Sequence, residues 1–182
     1  RLHGKLETDD MQNMAMAYAV SKEKKREAIT EMITELCVSG VNAIVKSEER
    51  LQQIRSLFDL DGITVFSDRG NRLVCRNGNY MAEAPDGRLG FEDEGYLSLF
   101  GDDDIFVESN MIKLRSQNPA AYAVTQEQEV GAALQCLSRK EGIPYTMVSF
   151  EVFNRNRKWS DKDVTLLTLL GHCIGDLLNY SE

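Results

Sequence analysis

Polar and apolar positions alternate most cleanly between Tyr145 and Phe153. Thr146, Val148, Phe150 and Val152 form one apolar face, and Tyr145, Met147, Ser149, Glu151 and Phe153 form a mixed one. A period of two predicts a strand. A basic turn follows, Asn154 to Lys158, and the run from Leu166 to Leu178 then predicts a terminal helix. The helix start is marked several times over. Ser160 is a suitable N-cap, and Asp163 is spaced to reach back to its amide as a shorter capping-box acid. Trp159 and Val164 fall at the two positions of a hydrophobic staple. Asp161 and Asp163 add negative charge where the helix dipole favours it.

Upstream, the seam Ile29, Ile33, Leu36, Gly40, Ile44, Ser47, Leu51, Ile54, Phe58 keeps steps of three or four. It predicts one helix from about Lys25 to Phe58, about 50 Å long at 1.5 Å per residue. A second stripe, Met32, Cys37, Val41 and Val45, widens its buried face. Two readings stay open: a core helix with a frayed extension, or a connector helix that pairs with its copy in a second chain. Met11, Met14, Ala15 and Tyr18 predict a short helix over Thr8 to Val20. Residues 1–24 are expected to be a linker or connector helix, and residues 25–182 the domain itself.

After the turn signal Asp61-Gly62, strands are expected at Ile63 to Phe66 and Arg72 to Arg76. Residues 77–104 are rich in Gly, Asn and Asp, and a long weakly patterned stretch inside a compact domain is more often functional than decorative. Short strands are expected around Arg88 to Phe91 and Ile105 to Glu108. A brief helix over Met111 to Gln117, capped by Ser109 or Asn110, precedes another from Asn118-Pro119 through Tyr122. Gln128 to Arg139 reads as a strand that forms a hairpin with Tyr145 to Phe153 across the turn Glu141-Gly142. The sum is an α+β fold, with a five- to six-stranded antiparallel sheet and long N- and C-terminal helices on one face.

At 182 residues the chain is about one domain. Its net charge of −8 argues against general nucleic-acid binding, which depends on Lys and Arg neutralising phosphates. The basic clusters Lys22 to Arg26 and Arg155 to Lys158 read as solvated surface. No apolar run reaches the 18 residues of a membrane span, so no membrane contact is expected of this segment. The chain begins Arg-Leu-His, without an initiator Met, and is expected to be a piece of a longer protein. Cys37, Cys75, Cys136 and Cys173 lie far apart without zinc or redox spacing, which predicts buried, reduced thiols.

No nucleophile with a partner base and no carboxylate pair is assembled by the pattern, so no catalytic residue is assigned and no enzyme is expected. His172, between Leu169 and Ile174, has no companion ligand and reads as a packed or interface residue. Glu92-Asp93-Glu94 and Asp102-Asp103-Asp104 match no calcium loop and read as solvated acidic segments. No metal site and no cofactor are called for.

The order of elements resembles the GAF domain family of sensory domains. The resemblance rests on Gln128 to Leu178: the hairpin, the basic turn, Trp159-Ser160-Asp161-Lys162-Asp163 and the apolar helix after it. Ile112 to Tyr122 is similar to the segment before the fourth strand in GAF domains attached to bacterial diguanylate cyclases. The resemblance implies a bacterial, cytoplasmic signal-transduction domain that binds a small molecule in front of a cyclase, phosphodiesterase or kinase output domain. It also implies a homodimer through terminal helices. The Asn-Lys-Phe-Asp-Glu motif of cyclic-nucleotide-binding members is absent, as are the Asp-Ile-Pro motif and Cys-His pair of bilin-binding members and the cysteine spacing of the methionine sulfoxide reductases on this fold. A family pocket lies on the sheet face opposite the terminal helices, so the mixed face of Tyr145 to Phe153 would line it. Gln135, Ser149 and Glu151 are the expected ligand contacts, joined by Tyr145 and Thr64. A structural dimerisation module with no ligand is the rival expectation.

Overall fold

The computed structural model of the chain describes the backbone of residues 2–39, 48–67, 73–76, 79–81 and 93–180, and the side chains of residues 9–38, 49–66 and 93–177. From the N-terminus come helices α1 (Leu2–Ser39) and α2 (Glu48–Leu57), then strands β1 (Gly62–Ser67), β2 (Leu73–Arg76) and β3 (Asn79–Met81). A one-turn helix α3 (Glu94–Leu97) precedes β4 (Ile105–Glu108), and a 3-10 turn (Met111–Lys113) runs into α4 (Leu114–Gln117) and α5 (Pro119–Glu127). The hairpin β5 (Val130–Lys140) and β6 (Ile143–Phe153) leads to α6 (Asp161–Tyr180).

The described strands form one six-stranded sheet in the order β3-β2-β1-β6-β5-β4, antiparallel throughout. The α+β class and the five- to six-strand expectation agree with it. At the hairpin turn Glu141 has φ 53° and Gly142 φ 82°, the positive pair that a two-residue turn needs to follow the strand twist. The strand expected around Arg88 to Phe91 lies outside the described residues.

As the alternation predicts, Val148, Phe150 and Val152 of β6 face the long helices. They join Leu134 and Cys136 of β5, Ile63 and Val65 of β1, Met32 and Leu36 of α1, Ile54 and Phe58 of α2, and Leu167, Leu170 and Ile174 of α6 in one core. Two glycines let α6 lie close on β5. A Cβ on Gly171 would stand 2.7 Å from the Cys136 sulfur, and one on Gly175 would stand 2.1 Å from Ser138 Oγ.

The single helix expected from Lys25 to Phe58 is two helices. Arg50 of α2 hydrogen-bonds Glu35 of α1 and donates to Glu31 at 2.6 Å. In one continuous helix Glu31 and Arg50 would be about 28 Å apart at 1.5 Å per residue. The seam misled because α1 and α2 bury their apolar steps in the same core, so the period carries across the break. Upstream, α1 runs without interruption through residues 9–24, which are exposed.

Two local expectations also change at the start of α6. Ser160 Oγ does accept from Asp163 N at 3.2 Å, but Asp163 does not close a capping box. Its carboxylate instead accepts from Lys25 of α1 at 2.9 Å and from Arg157 at 3.1 Å. Arg157 is no solvated turn residue. Its guanidinium is largely buried, donates to the carbonyls of Phe58 and Asp59 after α2, and stacks 4.3 Å over Trp159. Burial lowers its pKa, opposed by the carboxylates of Asp163 and Asp59. Arg157 and Asp163 thus tie the body of α1 at Lys25 and the end of α2 to the first turn of α6.

The cysteines depart from expectation as well. Cys136 is buried, but Cys37 is exposed and Cys173 half-buried; the Cys75 side chain lies outside the described ones.

Candidate functional site

The sheet face opposite the helices carries a second core, formed by Phe66, Phe106, Met111, Leu114, Ala133, Leu137, Met147 and Phe153 with Tyr96 and Phe100. Strand register sets polar side chains into it. Thr64, Ser149 and Gln135 form one row across β1, β6 and β5, and Glu151 lies two residues further along β6. All four are buried: Thr64 at 3% exposure, Gln135 at 6%, Ser149 at 0% and Glu151 at 4%. Gln135 Nε2 donates to Ser149 Oγ at 3.2 Å, and Thr64 Oγ1 donates to Glu151 Oε2 at 3.3 Å. Four of the five expected ligand contacts therefore meet in one apolar setting.

Tyr145 does not join them. It shares the face but lies four residues from Ser149 along β6, about 13 Å at the rise of a strand. The Lys140 ammonium sits 5.2 Å from its ring centroid.

Tyr96 occupies the place that the pattern left unassigned. Its hydroxyl donates to Gln135 Oε1, and its ring meets Phe100 and Phe106 edge-on at 5.8 and 6.1 Å. Desolvation raises the phenol pKa well above its usual value, so the group stays a neutral donor. The side chain is held by a short polar brace. Asp93 caps α3 by accepting from Tyr96 N at 3.0 Å and also accepts from Asn118 Nδ2 at 2.9 Å. Asn118 in turn caps α5 through Ala121 N at 3.1 Å. The Asn118 amide and the Tyr96 N–H lower the Asp93 pKa. The available signal was Asp93 three residues before Tyr96, the spacing of an N-cap to its partner, inside a stretch that otherwise reads as loop.

The arrangement suits recognition. It sets hydroxyl, amide and carboxylate groups within aromatic and aliphatic walls, where each unpaired polar atom costs about 1–3 kcal/mol. Among the described residues no group of three or more His, Cys, Asp or Glu side chains is placed to hold a metal. Asp104 pairs with Arg139 at 2.9 Å, Asp102 and Asp103 are exposed, and His172 is half-buried on α6. No described helix is long and apolar enough to cross a membrane.

No family model matches the chain, and no curated protein matches it in sequence. Solved structures do match by fold. The GAF domain of an Acinetobacter phosphoenolpyruvate-protein phosphotransferase superposes with a TM-score of 0.56 at 12% identity, over 87% of this chain and 92% of that one. A far-red-absorbing dark state with bound biliverdin gives 0.56 at 16% identity, over 85% and 98%. The third GAF domain of a Synechocystis protein, in its photoproduct state, gives 0.51 at 10% identity, over 78% and 94%. Order of elements, sheet topology and these superpositions agree: the chain has the fold of a GAF domain.

Proposed function

We propose that the chain is a cytoplasmic small-molecule-sensing domain of a bacterial signal-transduction protein, which relays ligand state through its terminal helices to a covalently linked cyclase, phosphodiesterase or kinase output domain. The observation that carries this reading is the buried row of Thr64, Ser149 and Gln135, with Glu151 beside it, in an aromatic setting on the face away from the helices. Tyr96 satisfies the Gln135 carbonyl from within the chain. A ligand with its own donor takes the phenol's place at Gln135, and α3 moves with Tyr96.

The relay runs along β6. Its last residue donates from Phe153 N to Asp61 at 2.8 Å, and beyond it Arg157 in the loop and Asp163 in the first turn of α6 hold α2 and α1. A second copy pairs along α1, whose first half exposes Met11, Met14, Met16, Tyr18 and Val20. The described cysteines support a ligand other than a thioether-linked bilin. The three described cysteines lie on α1, on α6 or on the helix side of β5, and none is on the face of the polar row.

One observation favours the rival reading, a dimerisation module with no ligand: Tyr96 closes the hydrogen-bonding of Gln135 from within the chain. A thermal-shift screen of small metabolites separates the two. The sensor reading expects a compound that raises Tm by about 5–11 °C at 100 times its Kd, and no shift in a Ser149→Ala, Glu151→Ala protein. A shift of equal size in the double variant, or no active compound, supports the connector.

A further inference from the structure

We propose that Cys37 and Cys173 form an oxidisable dithiol, and that a peroxide converts it to a disulfide bridging α1 and α6 within one chain. The inference goes beyond the ligand reading and does not depend on it.

Three contacts fix how the two helices lie. Lys162 of α6 donates to the Tyr18 hydroxyl at 2.6 Å, Lys25 of α1 pairs with Asp163 at 2.9 Å, and the Cys173 thiol hydrogen-bonds to Cys37. Each contact advances along both helices, so they run parallel. Cys37 lies twelve residues beyond Lys25, and Cys173 ten beyond Asp163. At 1.5 Å per residue these are about 18 and 15 Å, a near match that brings the sulfurs together from the register of the ion pair alone. The geometry of side-by-side helices leaves such facing cysteines within the range that a disulfide spans after small rotamer changes.

The two thiols differ in access, which gives each a role. Cys37 is exposed and meets the oxidant; Cys173 is half-buried against it. Desolvation and the nearby Cys37 and Asp176 hold the Cys173 thiol above its usual pKa, so it is the slower of the two to attack an oxidant from solution. In the first step the Cys37 thiolate attacks one peroxide oxygen, the O–O bond breaks, and hydroxide leaves with sulfenic acid on Cys37. Cys173, losing its proton, then attacks that sulfur and displaces the sulfenic oxygen as hydroxide. The balance is two thiols and one hydrogen peroxide to one disulfide and two waters, with the sulfurs giving up two electrons. Cys136 takes no part, since burial pushes its thiol up to about 12 and packs it beneath Gly171.

The bridge would close a loop of well over a hundred residues, so it should raise Tm by about 5–10 °C and fix α1 against α6. The test treats the purified chain with hydrogen peroxide, blocks free thiols with an alkylating reagent, and measures intact mass, non-reducing peptide maps and Tm. The expected result is a monomer-mass product lighter by two hydrogens, a linked peptide pair containing Cys37 and Cys173, a higher Tm, and reversal by dithiothreitol. Cys37→Ser and Cys173→Ala should each abolish the linked pair, and the exposed position of Cys37 makes the first variant safe for folding. A linked pair involving Cys75, a bond between two chains, or Cys37 oxidised to sulfinic acid with Cys173 still free would overturn the proposal.

Discussion

On the helix side of the sheet, Val148, Phe150 and Val152 meet Leu134, Cys136, Leu167 and Leu170 in a largely apolar layer, with Ser138 and Thr146 at its Gly175 end. On the other side the intervening residues of the same strand, Met147, Ser149 and Glu151, meet Gln135, Thr64 and Tyr96. Because strand side chains alternate, one backbone serves both faces, and a substitution on one leaves the other's contacts in place. The helix face gains its stability from close packing and apolar burial. The opposite face sets buried polar groups that earn little net stability from their mutual hydrogen bonds. A face that contributes little to stability through its polar row, yet keeps that row buried, is the feature on which the proposed ligand reading rests.

Substitutions can break or sharpen that contrast. The largest effect is expected from Phe150→Ala, which empties a fully buried site beneath α6 and should cost about 3–5 kcal/mol in urea unfolding. Gly175→Val should follow, since even a Cβ would meet Ser138; overpacking of this kind costs about 1–3 kcal/mol and should show as a lower Tm. Tyr96→Phe keeps the ring in its aromatic nest but strands the buried Gln135 carbonyl, for a loss of about 1–3 kcal/mol. If the opposite face is a recognition surface, that variant should change ligand affinity far more than stability, as titration calorimetry would read.

The smallest effect concerns the brace behind Tyr96. The folded pKa of Asp93 is depressed by Asn118 and the Tyr96 amide, so its contribution is present above the ordinary carboxylate value of about 3.9 and is lost as pH falls through the lower folded value. The stability gap between the wild type and Asp93→Ala should therefore be level at neutral pH and close below about pH 4, read from urea midpoints across that range.

How much of this was legible varies with how local the signal is. The β6 alternation, the Ser160 cap and the Glu141-Gly142 turn depend on neighbours in sequence, and each reads directly. Thr64, Gln135 and Ser149 could be brought together because their strands read as strands and register did the rest. Tyr96 was missed because its partner lies 39 residues away, and only the Asp93 cap marks its short helix. Arg157 and Asp163 were misjudged for a related reason. A charge in a basic turn reads as solvated and an acid three residues after Ser160 reads as a capping-box partner, and nothing local tells that Phe58, Asp59 and Lys25 converge on these two. The break between α1 and α2 was hidden by a period that two helices share when they bury the same core.

The central claim is that the face opposite the helices holds a small molecule. Native mass spectrometry of the domain as purified from cells, beside the Ser149→Ala, Glu151→Ala protein, tests it most directly. The account predicts a discrete non-covalent mass on the wild-type chain that is absent from the double variant, while both keep the same circular dichroism spectrum. A bare chain mass in both, or an adduct that persists in the variant, would contradict it.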